Sequence, residues 1–280
     1  MTVVLSVLAA LLYGAGDFCG GLATRRAAVT SVVLVSQLVG SVIVLPAIAL
    51  VGGRPDPVSL AWGAAGGLVG AVGVAVFYGA LARGTMSVVA PVTAVTATAV
   101  PVAAGLVLGE RPGVLVLVGV VLAVVAIVFV SAEGGRLPSP RLLLANRGVT
   151  FALLAGAAFG ILFVLLSRTS PDSGLWPLLS ARLASGAAVL ATALLLRRPV
   201  VPARAAWGLV VGAGIGDMGA NVLFLLAQRS GLLVVASVLT DLYPAATVLL
   251  ARLLLRERLA PVQLGGVLAA GAAVTLITLG

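Results

Sequence analysis

The stretch FYGALARGTMSVVAPVTAVTATAVPVAAGLVLGERPGVLVLVG, from Phe77 to Gly119, is answered by FLLAQRSGLLVVASVLTDLYPAATVLLARLLLRERLAPVQLGG, from Phe224 to Gly266. Sliding one onto the other by 147 residues puts Glu110-Arg111 on Glu257-Arg258, Ala80 on Ala227, Gly84 on Gly231 and Gly119 on Gly266. Each copy is an apolar run ending in an Arg-Gly or Arg-Ser-Gly turn, a longer apolar run stopped by Glu-Arg, and another apolar run. The copies read as membrane hairpins produced by an old duplication.

Composition agrees with that reading. At 61% hydrophobic and 9% charged, with a mean hydropathy of +1.26, the 280-residue chain has too little polar surface to clothe a soluble domain. The net charge of +9 would suggest nucleic acid in a soluble protein, but the 17 basic residues are all Arg and nearly all end apolar runs, where they anchor helices at the membrane surface. There is no His, and Cys19 stands alone in an apolar run. Metal sites of the Cys/His kind, His-based catalysis, disulfides and cofactors are therefore not expected. The N-terminus lacks a basic n-region and an A-x-A site before Arg25, so it reads as a retained first helix.

Ten spans follow, each near the ~20 residues that cross a bilayer: Val3–Ala23, Ser31–Val51, Leu60–Ala82, Val88–Leu108, Val114–Val130, Val149–Ser167, Leu175–Leu196, Trp207–Gln228, Leu232–Leu254 and Val262–Leu279. Runs such as VLVLVGVVLAVVAIVFV are apolar all round, which excludes the alternation of a barrel strand. The fold expected is an all-α polytopic membrane protein of ten transmembrane helices as two inverted five-helix repeats, because an odd number of crossings per half turns the second half upside down. Residues 1–134 form the first repeat, 135–147 the linker and 148–280 the second. Trp62-Gly63 matches Trp207-Gly208, and Gln37 matches Arg182. Glycine pairs at small-xxx-small spacing, among them Gly16 and Gly20, Gly156 and Gly160, and Gly212 and Gly216, read as helix-packing surfaces. Eleven Arg follow odd-numbered spans and four follow even-numbered ones, which by the positive-inside rule puts both termini outside the cytoplasm.

Charges inside spans are the informative residues, since each costs at least ~2.5 kcal/mol at a helix centre. Four qualify: Asp17, Arg182, Asp217 and Asp241. Asp217 shares a helical face with Asn221, Phe224 and Gln228, and Asp17 shares one with Tyr13. Asp241 lies between Ser237 and Pro244, beside an expected helix break. At offsets of 145 to 147 the three carboxylates fall on Val72, Ala94 and Phe163 of the opposite half. Residues that merely keep the fold should recur in both halves, so these read as substrate-binding or proton-coupling groups. Tyr13, Gln37, Tyr78, Phe224 and Tyr243 are the expected cavity lining. Glu110-Arg111 and Glu257-Arg258, at span ends, read as local ion pairs or C-terminal caps.

The Gly-rich first span with LYGAGDF, the Ala-Arg-Gly and Ala-Gln-Arg-Ser-Gly turns, and LGERP and LRERL closing the fourth and ninth spans resemble the EamA-type transporters of the drug/metabolite transporter superfamily. The resemblance covers almost the whole chain. It implies a ten-helix carrier, often an exporter of amino acids or related compounds, in a cell membrane such as a bacterial inner membrane, with the site in a cavity between the halves. Partners are then the lipid bilayer, a small-molecule substrate and protons, and not nucleic acid; an enzyme is not expected. Gln37 stands where the family commonly has Arg, the second Glu-Arg motif lacks its Gly, and the family's termini face the cytoplasm, against the Arg count. Two other readings use the same residues. GAGD at Gly14–Asp17 and GIGD at Gly214–Asp217 resemble the Gly-x-Gly-Asp of intramembrane aspartyl proteases, without the Pro-Ala-Leu those proteases carry, and a lipid-head-group flippase would share the fold.

Overall fold

A backbone in hydrocarbon has no water to bond, so every apolar run has to close its hydrogen bonds on itself as a helix. The computed structural model describes residues 1–83, 86–132, 148–255 and 260–280, without the side chains of 78–83, 86–88, 90–91, 251 and 255. Its α-helices are α1 (Thr2–Thr24), α2 (Val29–Val51), α3 (Pro57–Arg83), α4 (Met86–Val107), α5 (Val114–Val130), α6 (Gly148–Ser167), α7 (Trp176–Leu195), α8 (Trp207–Arg229), α9 (Leu233–Thr240), α10 (Tyr243–Leu255) and α11 (Pro261–Leu279). The described residues include no strand. The chain is an all-helical, multi-pass integral membrane protein. Ala80's side chain, Gly84, Glu257-Arg258 and the 135–147 linker fall outside what is described.

Helices appear at all ten places where the sequence puts spans, the ninth in two pieces, and eight of the described stretches are long and apolar enough to cross a membrane. Pro46 and Pro101 sit inside unbroken helices, whereas α9 stops at Asp241 and α10 restarts at Tyr243. Pro244 has no N–H for the Thr240 carbonyl one turn back, so the helix ends there and Pro244 takes the first turn of the next.

The extensive helix interfaces all join the first five spans to the last five. α1 packs on α8 as α3 packs on α6; α2 packs on α8 as α3 packs on α7; α4 packs on α6 as α1 packs on α9 and α10. α2 meets α7, α4 meets α9, and α5 meets α11. Glycines make these approaches, and equivalent glycines meet equivalent partners. A methyl on Gly14 would lie 2.6 Å from the Ala246 Cβ, and one on Gly160 would lie 2.6 Å from the Val100 Cβ. Gly160 is Gly14 plus 146, and Ala246 is Val100 plus 146. In the same way Gly119 abuts Ile277 and Gly266 abuts Val130, with 147 separating each glycine from its counterpart and each partner from its own. The match is not uniform: Gly63 abuts Pro177 and Ser180, while its sequence counterpart Gly208 has nothing within 4 Å.

Polar groups at the span ends tie the helices together, some of them across the two halves. Glu110, just after α4, accepts hydrogen bonds from the backbone nitrogens of Leu233 (2.5 Å) and Val234 (2.9 Å), capping the start of α9. Gly105 leaves the room for this, because a methyl there would lie 2.7 Å from Glu110 Oε2. The expected local ion pair or C-terminal cap at Glu110 is thus corrected to a long-range N-terminal cap, where a carboxylate meets unpaired N–H groups and the positive end of the helix dipole. Arg229, closing α8, donates to the carbonyls of Gly174 (2.7 Å) and Ser170 (3.0 Å) and so clamps the turn between α6 and α7. Asp56 caps α3 by accepting from the Ser59 N–H at 2.9 Å, and the Ser59 hydroxyl accepts from the Ser170 N–H.

Glu110→Ala should lower the thermal midpoint of the purified protein by the equivalent of about 1–3 kcal/mol, the cost of leaving buried donors unpaired. Glu110→Gln, which keeps one acceptor oxygen, should lower it less, and exposed Arg111→Ala not measurably; equal midpoints for all three would rule out the cap. The hydrogen bonds from the Ser59 hydroxyl and N–H hold the Asp56 carboxyl below its usual range. A depressed folded value gives stability that is complete above the unfolded pKa, roughly 4, and is lost as pH falls through the folded one. Asp56→Asn, which keeps an acceptor but binds no proton, should flatten the acid arm of stability against pH below roughly 4.

Candidate functional site

Three of the four charged residues predicted within spans are brought together around a close glycine crossing. α1 and α8 touch through Gly16 and Gly216: a methyl on Gly16 would lie 3.0 Å from the Asp217 nitrogen, and one on Gly216 would lie 2.7 Å from the Gly16 Cα. With backbones in contact, the residues beside the glycines, Asp17 and Asp217, lie within electrostatic reach of each other. On its other side α8 meets α2, where Gly214 abuts the Ser36 carbonyl and Val39.

Arg182 of α7 completes the cluster. Its guanidinium donates to Gln37 Oε1 of α2 and pairs with the Asp217 carboxylate. Gly40 opens a seat for it, with the Arg182 Nε 3.5 Å from where a methyl would be. Asn221, one turn beyond Asp217 and buried, donates to the Asp217 carbonyl at 2.8 Å and lies 3.4 Å from its Oδ1. Arg182 retains 12% of its side-chain exposure and Asp217 retains 40%, so the pair is reached from one side, the carboxylate side. At an effective dielectric near 20, a pair in contact is worth about 4 kcal/mol, enough to offset much of the cost of placing two charges in a span.

Asp17 is different. It is exposed, and the ion pair among the described residues is the one between Arg182 and Asp217. The cluster therefore holds two carboxylates and one guanidinium. Tyr13 lies one turn before Asp17, within reach of the charges of Asp17, Arg182, Asp217 and Asp241. Its ring centroid is 6.1 Å from that of Tyr243, at 57°. These two tyrosines connect the cluster to the break in the ninth span.

Other predicted residues fall elsewhere. Phe224 is fully buried and stacks on Phe163, with centroids 4.2 Å apart; it packs the core of α1, α6, α8 and α9 and does not line a cavity. Asp241 is 3% exposed and is reached by Thr98 of α4 instead of by Arg182. The side chain of Tyr78 lies outside the described residues. An open hollow at one end of the bundle, lined by Val51, Gly53, Arg54, Pro171, Asp172 and Gly174, is remote from the charges and is framed by a turn in which the Arg54 N–H donates to the Asp172 carbonyl at 2.9 Å. Sequence reasoning missed Gly40, Thr98 and the reach of Glu110. Gly40 carried a signal, being a glycine on the turn after Gln37.

A solved crystal structure with 18% sequence identity superposes with a TM-score of 0.81 over 99% of this chain and 96% of its own, a likeness of fold. Comparison with curated proteins gives no match. The EamA-like transporter family matches residues 1–132 and again 146–279. With both halves of a helical membrane fold covered in this way, the chain belongs to the EamA-like transporter family.

Proposed function

We propose that this transporter exports a small amphipathic metabolite carrying an amino group, an amino acid or related compound, in exchange for protons, and that Asp17 is the group both compete for. The observation that carries this reading is the charge count. Arg182 pairs with Asp217, which leaves the Asp17 carboxyl exposed on the facing helix with no guanidinium to balance it when ionised. Inside a membrane such a charge calls for a cation. A substrate ammonium or a proton serves equally, and competition between them is the basis of exchange. Gln37 and Asn221 hold Arg182 and Asp217, while Tyr13 and Tyr243 offer rings to the apolar part of the substrate. A substrate carboxylate would have to compete with Asp217 for the Arg182 guanidinium.

Alternating access fits an inverted-repeat arrangement. Supporting it are the paired interfaces between the halves and the repeated glycine contacts. The contact between Gln37 and Arg182 also supports it, because positions equivalent in two repeats touch only when they straddle the axis relating them. The protease reading loses ground on Asp217: an aspartyl dyad shares one proton between two carboxylates, whereas Asp217 is paired with the Arg182 guanidinium. A flippase would need the Asp17 face to open sideways to lipid.

In proteoliposomes carrying a pH gradient, Asp17→Asn should lose gradient-driven uptake of the substrate, identified beforehand from a thermal-shift panel of amines and amino acids, by at least about tenfold, or ~1.4 kcal/mol. The titratable and charged groups facing Asp17 are Tyr13, Arg182, Asp217, Asp241 and Tyr243, so transport retaining its full pH dependence in Asp17→Asn would assign coupling to one of them and end this reading. Asp217→Asn should destabilise the fold by about 3–5 kcal/mol, because it strands Arg182, and Arg182→Gln in the same chain should restore most of that loss.

A further inference from the structure

A second cluster of oxygen atoms, which the amine reading does not use, surrounds the break in the ninth span. α9 is buried along its whole length. Ser237, Thr240 and Asp241 stand at i, i+3 and i+4 and so share one face. Their exposures are 0%, 0% and 3%, and Ser237 Oγ, Thr240 Oγ1 and Asp241 Oδ2 have no hydrogen-bond partner. Across from them Ser6 of α1 is also 0% exposed with an unpartnered hydroxyl. α1 and the ninth span run side by side, Thr2 against Gly231 and Gly14 against Ala246, with Ala9 and Ala236 in one buried cluster, and this register sets Ser6 near the turn of Ser237. From α4, fully buried Thr98, whose hydroxyl donates to the Ala94 carbonyl at 3.0 Å, stands beside the Asp241 carboxylate. Pro244 deprives the Thr240 carbonyl of its helical donor.

These groups have one chemistry in common: they are oxygen acceptors. One carboxylate, the hydroxyls of Ser6, Thr98, Ser237 and Thr240 and one freed carbonyl are buried about this stretch of the ninth span, with no Lys, Arg or amide side chain among them. Buried polar atoms are normally paired, and three orphans at a single helix break with a fourth on the facing helix ask for a ligand that accepts several lone pairs at once and cancels one charge. Water would satisfy the hydroxyls and leave the carboxylate's charge. Calcium takes six to eight oxygens, usually from several carboxylates, and a substrate amine needs an open path that a cluster this buried does not give.

We propose that the break in the ninth span binds a dehydrated sodium ion, held by Asp241, Ser237, Thr240, Thr98 and Ser6. Broken helices in transporters use their unwound carbonyls in this way. The site would communicate with the Asp17 cluster through Tyr243, two residues beyond Asp241 and ring to ring with Tyr13. A bound ion fixes the angle between α9 and α10, and with it the Tyr243 side of the cavity.

The test is the thermal midpoint of the detergent-purified protein, without substrate, in sodium chloride against equal concentrations of potassium and choline chloride, at pH 5.5 and 7.5. Binding of radioactive sodium is measured in parallel. Sodium should raise the midpoint saturably and potassium and choline should not. Ser237→Ala and Thr98→Val should weaken half-saturation about tenfold, and Asp241→Asn should abolish it. Asp17→Asn should keep the sodium response even where it loses transport, so failure of the amine reading and failure of the sodium site are told apart. Equal midpoints in all three salts, or a sodium response that survives in Asp241→Asn, would overturn the proposal. A midpoint that follows pH and ignores sodium would make a proton the occupant and overturn it as well.

Discussion

Helices in lipid gain nothing from hiding apolar side chains from one another, because the lipid is as apolar as they are. They associate only where backbones come close enough for dispersion and weak polar contacts to add up. In this chain that closeness is supplied by glycines, and the architecture follows from where they are. Gly16 against Gly216 locks α1 to α8, Gly67 against Ala181 locks α3 to α7, and Gly156 against Thr93 locks α6 to α4. Each of these joins one half to the other. Neither five-helix half packs tightly on itself, so each uses its partner as its core.

That interlocking explains why the charges can be tolerated. Arg182, Asp217 and Gln37 come from three helices and two halves, and they meet only because the glycine crossings bring those helices together. Removing a crossing would separate the pair as well as loosen the bundle, leaving two unpaired charges in hydrocarbon. Fold and site are therefore not independent layers: Gly16 and Gly216 serve packing and, one residue on, set the distance between Asp17 and Asp217.

Much of this was written in local sequence. Runs of about 20 apolar residues, ended by Arg and Glu-Arg, locate the spans, and Ser237, Asp241 and Pro244 locate the break in the ninth. What sequence could not give were pairings across long separations. Glu110 sits at a span end like any local cap, and nothing near it reveals that its hydrogen bonds go to Leu233 and Val234. Phe224 misled for a related reason. Sharing a face with Asp217 and Asn221 gives a direction around the helix but not depth, and Phe163 fills the space in front of it. Thr98 is one of three threonines in α4, and only the fold distinguishes the one that reaches Asp241 from Thr93, which bonds the Ala152 carbonyl, and Thr96, which bonds Val92.

The duplication set a limit on what symmetry could build. Two equivalent carboxylates facing each other across an axis would repel, and two equivalent guanidinium groups would do the same, so a charged site on the boundary between repeats has to break the match. The chain does this at the contact of Gln37 with Arg182, where a second Arg would set cation against cation. It does so again where Asp17 corresponds to Phe163, a residue packed into the aromatic core against Phe224. Several glycine contacts, such as Gly14 with Ala246 and Gly160 with Val100, kept their counterparts because packing has no sign. The charged positions differ between the halves because charge has one, and that difference is what singles out Asp17, Arg182 and Asp217 as the residues to test.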